Sequence, residues 1–218
     1  MDRIQLYFPG DHLKNTLIII AALCCAALCS SALAADKAAT TSAAQLTVLK
    51  QDSGINLSEM NLTMYSAIDD FGINGLSIGE AVKFTAPKAG WKLKGVQVLG
   101  WSGYNNTTKT FPADRNFLIE IRDKDLNLLY KYADAQNMYF ISTTGPVLSG
   151  IEIPSIALTG DFYIVFYDRG ALAIAMESVK GSGNSYFFLN GQMAPAEFKL
   201  TKNNETTKVN WLIRAVGQ

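Results

Sequence analysis

Phe162-Tyr163-Ile164-Val165-Phe166-Tyr167 is an unbroken run of large apolar or aromatic residues, bounded by Thr159-Gly160-Asp161 and Asp168-Arg169-Gly170. Successive side chains of a strand point to opposite faces, so this run leaves neither face for water. It predicts a central strand covered on both sides. Phe162, Ile164 and Phe166 are expected to be fully buried on one face. Tyr163, Val165 and Tyr167 are expected to be mostly buried on the other.

Working outward, the surrounding sequence has the period of strands. Phe117, Ile119 and Ile121 alternate with Leu118, Glu120 and Arg122. Beyond Asp123-Lys124-Asp125, the set Leu126, Leu128, Tyr130 and Tyr132 alternates with Asn127, Leu129 and Lys131. Period two on both sides of an Asp-rich turn is a hairpin signal. Ile151-Glu152-Ile153 meets Pro154, which cannot donate to a ladder and so marks a sheet edge or a strand end. Leu172, Ile174 and Met176 make another alternating set. Gly181 to Asn184 reads as a turn into Tyr186–Leu189, and Val209, Trp211, Ile213 and Ala215 form the last strand. Earlier strands are expected near 80–85 and 93–101, with weaker candidates near 46–50 and 60–65. No helical period is sustained after residue 34. The expectation is an all-β fold: one antiparallel β-sandwich, of jelly-roll type, with eight to ten strands.

The N-terminus reads differently. Arg3 and Lys14 lie in a polar start, Leu17 to Cys29 is an uncharged apolar run of 13 residues, and Ala32-Leu33-Ala34 follows. A basic region, a short apolar core and a small-x-small site make an export signal over residues 1–34. The apolar run is short for a span, which needs roughly 20 residues. The competing expectation is an uncleaved anchor helix that holds the protein N-terminally in the membrane. Residues 35–44 are small and polar and read as a tether. Residues 45–218 form the folded domain, long enough for a sizeable core.

The placement of this signal decides much chemistry. Cys24, Cys25, Cys29 and His12 are the only cysteines and the only histidine of the chain. Cleavage after Ala34 removes them all. Ser-His and Cys-His nucleophiles are then excluded, as are zinc sites built from these residues. Stability must come from packing, since no disulfide can form. Lys plus Arg and Asp plus Glu are 19 each, and residues 1–34 contain two of each sign, so the exported domain is also neutral. No basic stripe marks a nucleic-acid partner. No second apolar run would span a bilayer, so no transmembrane span remains after cleavage.

The stretches Ala81-Val82-Lys83-Phe84-Thr85-Ala86-Pro87 and Trp91-Lys92-Leu93-Lys94-Gly95-Val96 carry a resemblance. So do Phe117–Asp123, Thr159–Val165 and the closing Trp211-Leu212-Ile213-Arg214-Ala215. From Glu80 to Gln218 the chain resembles uncharacterised extracytoplasmic β-sandwich domains of prokaryotes. These are similar in outline to jelly rolls that serve as carbohydrate-binding modules or accessory domains of secreted enzymes. The resemblance implies a fold, and a fold alone does not license a function.

Candidate sites are few. Trp101, Tyr104 and Phe111 flank a polar loop that contains Asn105. Aromatic faces stack on sugar rings and amides fix sugar hydroxyls, so Trp101, Tyr104 and Asn105 are the candidate ligand-binding residues. The plainer expectation for Trp101 is core packing, because large aromatics mostly supply buried area. Trp91, Trp211 and the run Tyr186–Phe188 read as core. Glu120, Glu152, Asp161 and Glu177 lie on or beside strands and could supply the two carboxylates of a glycosidase. Each reads more simply as an outward residue on a half-exposed strand. Asp123, Asp125 and Asn127 imitate the start of a calcium loop, but Leu128 and Asp134 stand where the required Gly and Glu should be. A turn is expected there, and another at Asp69-Asp70. Five sequons, at Asn56, Asn61, Asn105, Asn106 and Asn204, fall in expected loops or weak strands.

The expected function is that of a secreted or cell-surface domain that binds and does not catalyse. It has no metal and no cofactor, and a glycan or cell-envelope component is its partner. The alternatives are a structural or adhesive surface-assembly subunit and a carboxylate-dependent glycoside hydrolase. N-terminal sequencing of the exported protein should begin at Ala35 or within a few residues. Intact Met1 in the membrane fraction would establish the anchor instead.

Overall fold

A computed structural model describes residues 45–54, 56–170, 172–178, 181–199 and 206–218. The expected signal, the tether and the sequon at Asn204 lie outside these residues. Two antiparallel sheets pack face to face as a β-sandwich. Eight strands carry the topology: β2 (Leu62–Tyr65), β3 (Gly79–Thr85), β4 (Trp91–Trp101), β5 (Asn116–Asp123), β6 (Leu128–Ala135), β7 (Val147–Leu158), β8 (Asp161–Tyr167) and β9 (Ala173–Glu177). Their orders are β2-β9-β4-β7 in one sheet and β3-β8-β5-β6 in the other. That is the jelly-roll order, in which the chain crosses between sheets at most connections.

Further strands extend this frame. A short β1 (Thr47–Leu49) precedes it. After it come β10 (Ser185–Leu189), β11 (Gln192–Pro195), β12 (Glu197–Lys199), β13 (Thr206–Lys208), β14 (Asn210–Trp211) and β15 (Ile213–Gly217). The hairpin β10–β11 widens the second sheet to six strands beside β3, and β12 pairs with β13 alone. The last two strands do more. β14 pairs with β9, β15 pairs with β4, and the Leu212 N–H and C=O bond to Ala175 and Leu99. The C-terminal segment is thus driven between β9 and β4, which touch directly only at Gly100 and Trp101. This explains why Trp211, Leu212 and Ile213 are all buried although they are consecutive. The expected alternation fails there because a central strand has two covered faces.

β8 is central in its sheet, paired with β3 and β5. Phe162, Ile164 and Phe166 point into the sandwich and are buried, as are Val165 and Tyr167 on the other face, while Tyr163 is half-buried. Phe166 stacks on Phe117 at 5.4 Å, and Phe140 meets both edge-on. Phe162 stacks on Phe84 and Trp91. At the other end Tyr65, Phe187, Phe198 and Trp211 form a ring cluster. Such pairs add to the transfer energy of buried aromatic area.

Several expectations shift in detail. The hairpin β5–β6 forms, but a bulge at Arg122 changes its phase. Tyr130 and Tyr132 therefore pack on the core while Leu128 and Leu129 are exposed. Pro154 does not end its strand. β7 runs through it as a sheet edge, and the ladder to β4 skips from Leu93–Ile156 to Gly95–Glu152, so Pro154 sits in a bulge where no donor is needed. Asp69 and Asp70 belong to a short helix, α1 (Ala67–Phe71), and not to a plain turn. A second short helix, α2 (Asn137–Phe140), inserts Phe140 under Gly100, where any Cβ would lie 2.9 Å from the ring. Both helices are shorter than two turns, too short to leave a period in the sequence. Among the described residues no helix is long and apolar enough to cross a membrane.

Phe166→Ala should cost about 3–5 kcal/mol, from lost transfer energy and the cavity left between Phe117 and Phe140. Urea denaturation checks this. A midpoint like that of the wild type would contradict the aromatic stack as a keystone of the core.

Candidate ligand-binding face

The residues that read as outward partners of the core strands build one continuous layer on the outer side of the six-stranded sheet, in which Ala81, Leu118, Val165, Tyr167 and Phe188 form a buried apolar centre and Lys83, Tyr163, Tyr186 and Lys131 reach water. Opposite the buried rows lie Tyr186 and Phe188 from β10, Ala81 and Lys83 from β3, and Tyr163, Val165 and Tyr167 from β8. Leu118, Glu120 and Arg122 from β5 and Lys131 from β6 complete it. Strand alternation puts them together, since each pairs with a residue of the same parity across its neighbour.

The face has two charged fixtures. In the first, Glu120 Oε2 accepts from Arg122 Nε at 3.0 Å and Nη2 at 2.7 Å, and from the Tyr167 hydroxyl at 3.1 Å. Lys131 stands 3.6 Å from the other carboxylate oxygen. Arg122 Nη1 also donates to the Leu126 carbonyl, and its guanidinium lies 4.5 Å above the Phe188 ring. Two N–H groups of one guanidinium that converge on a single carboxylate oxygen, while the guanidinium also covers an aromatic ring, are held in one geometry. Burial, and then the Glu120 charge, push the Tyr167 hydroxyl well above the usual phenol range. It therefore stays a donor at all ordinary pH.

In the second fixture Asp161 joins Lys83 at 2.6 Å and the Thr85 hydroxyl at 2.6 Å. Those two bonds, Lys83 first, hold the Asp161 carboxyl below its ordinary range, and its bond in turn holds Lys83 above the usual amine range. Beside this pair Tyr163 and Tyr186 meet edge-on, with centroids 6.0 Å apart and planes at 75°. Both are half-buried. They form an angled nook and not a flat platform.

Glu120 was expected to face water and is buried at 5% exposure. Arg122 and Tyr167 satisfy it, which the pattern of alternation alone does not reveal. Glu177 is also buried, where it accepts from the Ser53 N–H and the Asn210 side-chain amide. Both carboxylates are thereby committed to structure. Glu152 is exposed and Asp161 is ion-paired. Two open depressions, of 560 and 420 Å³, lie on and beside the other sheet, and in neither do two acidic side chains meet. The Tyr186–Phe188 run, expected as core, is split: Phe187 packs on the core while Tyr186 and Phe188 belong to this outer face.

Trp101, Tyr104 and Asn105 lie together at the end of β4 in the other sheet. Trp101 is half-buried and its indole N–H donates to the Ser142 carbonyl at 3.0 Å. Tyr104 is half-buried against Phe111, with centroids 4.7 Å apart. Asn105 is exposed, and its Oδ1 accepts from the N–H groups of Thr107 and Thr108. This amide oxygen caps its own turn, and Tyr104 is partly covered by the tilted Phe111 ring. Asp123 shows the same economy. Its carboxylate takes the Asn127 side chain and the N–H groups of Asp125 and Asn127, which keep it below the usual carboxylate range. Among the described residues no group of three His, Cys, Asp or Glu side chains is placed to hold a metal.

No protein-family model matches the chain, and comparison with curated proteins returns no match.

Glu120→Gln should destabilise the domain by about 1.5–3 kcal/mol, because a charge-assisted bond to Arg122 is lost in a nearly dry place. A double-mutant cycle with Arg122→Met, followed by urea denaturation, should give a coupling of about 0.5–3 kcal/mol. Additive effects would show that the pair is ornamental.

Proposed function

We propose that this is an exported, non-catalytic binding domain. Its ligand surface is the outer face of the six-stranded sheet, and its ligand is a glycan of the cell envelope or its surroundings. The observation that carries the reading is the Tyr163–Tyr186 nook beside the Lys83–Asp161 pair. A sugar ring offers apolar C–H faces and equatorial hydroxyls. A half-exposed phenol matches the first, and a fixed ammonium–carboxylate pair matches the second by supplying a donor and an acceptor. Both parts are held before ligand arrives, which lowers the ordering cost of binding. The breadth of a sheet face suits an extended polymer more than a compact metabolite.

The site at Trp101, Tyr104 and Asn105 remains the rival location for the same function. A role in surface assembly has one specific support of its own. β7 is a sheet edge of 12 residues, paired among the described strands with β4 alone, and such an edge can accept a strand from another chain. Its bulge at Pro154 and the exposed Glu152 blunt that edge.

Affinity electrophoresis through gels that contain soluble envelope polysaccharides tests the proposal. Tyr163→Ala and Tyr186→Ala should each weaken retention by about tenfold, which is the effect of losing roughly 1.4 kcal/mol. Trp101→Ala should leave it unchanged. The reverse pattern would move the site to the β4 loop, and no retention of the wild type on any polysaccharide would remove the glycan reading.

A further inference from the structure

One corner of the sandwich interior holds acid groups with no counter-charge. Glu80 lies on β3 between Phe166 of β8 and Phe187 of β10, on the row of Val82 and Phe84 that faces the core. It is fully buried, and neither carboxyl oxygen has a hydrogen-bond partner. The Tyr65 hydroxyl, from β2 on the facing sheet, is buried and unpartnered as well. Asp168, directly after β8, is also fully buried. It accepts from the N–H groups of Ala67 at 3.0 Å and Gly170 at 3.2 Å.

The groups that act on this corner are acidic. Asp168 acts on Glu80, Asp69 of α1 acts on Asp168, and Glu80, Asp70 and Asp168 act on Tyr65. Glu80 also acts through the sheet on Tyr167. The nearby cations Arg115 and Arg169 are exposed in the flanking loops. Ionising both carboxyls here places two unpaired charges in a dry interior, which proteins avoid by neutralising a group or admitting water.

The wall of this corner is thin. Residues 66–78 cover it as α1 followed by the 3-10 turn Gly72–Ser77. Positions 69–74 are all exposed, Phe71 and Ile73 included. The segment is internally tight, since a Cβ at Gly75 would lie 2.4 Å from the Ala67 carbonyl oxygen. Its two ends are anchored, by the Ser66 hydroxyl and the Ala67 N–H on Asp168 and by the buried side chains of Ala67 and Ile78, while its middle touches the sandwich through Ile68 against Gly170 and the exposed Phe71 ring against Phe187. The stretch between these anchors, residues 68–77, can therefore lift about them while the sheets stay closed.

We propose that residues 68–77 form a pH-controlled flap hinged at Ala67 and Ile78, closed over the Glu80–Asp168 pair while the pair retains a proton and opened to water when both carboxyls are charged. Burial raises Asp168 to about 6, and burial followed by the Asp168 charge raises Glu80 well above the ordinary carboxyl range. Asp168 thus ionises first, keeping the Ala67 bond, and Glu80 ionises second. Both protons are held more tightly closed than open. The closed state is fully favoured below about pH 4, the value of a solvated carboxyl, and loses ground as pH rises through the two raised values.

Hydrogen exchange of the full-length chain, corrected for intrinsic rates, tests this at pH 5 and pH 8. Protection in residues 68–77 should fall by at least about tenfold relative to β4 and β8, one unit of perturbed pKa being tenfold in the equilibrium. Glu80→Gln, which keeps the shape and removes the charge, should abolish that fall. Asp168→Asn should reduce it and serves as the second reading if Glu80→Gln does not fold. An unchanged segment in the wild type, or an equal fall in the Glu80→Gln protein, would overturn the flap.

Discussion

The need to cover both faces of β8 governs this structure. A strand with Phe162, Ile164 and Phe166 on one side and Val165 and Tyr167 on the other must find two dry environments. The inner one is the facing sheet, met through Trp91, Phe117 and Phe140. The outer one is not a third layer of the usual kind. It is built from long amphipathic side chains of the same sheet: Arg122 lies over Phe188, and Glu120 and Tyr167 close the gap between them. Long stems bury apolar surface while their heads stay paired. The same economy makes a surface of fixed charges and phenols, which is why the candidate ligand face and the stability of β8 share residues.

The seven-stranded sheet obeys a different constraint. Its last strand enters between β9 and β4, so the chain cannot complete its core until its C-terminus is in place. The N-terminal part of the domain is tied to the same insertion. Arg214 holds Asp52 through two bonds, at 2.7 and 3.0 Å, and Glu177 collects Ser53 and Asn210. Arg214–Asp52 and Glu177–Ser53, each more than a hundred positions apart, close long loops, a step that slows folding more than it weakens the product.

The buried acids Glu120 and Glu80 differ by one feature. Glu120 has a guanidinium beside it and can be buried as an anion. Glu80 has only aromatic rings, a tyrosine and another acid, and must be buried neutral. The first arrangement fixes a surface, whereas the second makes a corner of the core sensitive to proton activity.

What the sequence determined by itself follows from periodicity and from residue type. The period of two, the unbroken run at 162–167 and the turn residues between strands establish an antiparallel sandwich, because burial of alternate side chains is a local property of a pleated strand. Trp91 and Trp211 as core follow from the same logic. The tertiary structure alone decided what lies across a ladder. It set the insertion of residues 210–217 between β9 and β4, and the bulges that shift the phase at Arg122 and Pro154. It also divided Tyr186 from Phe187. The pairing of Glu120 with Arg122 and the isolation of Glu80 are likewise products of register. A carboxylate reads the same in sequence whether its neighbour is an arginine or a phenyl ring, and only the packing of distant strands decides which one it meets.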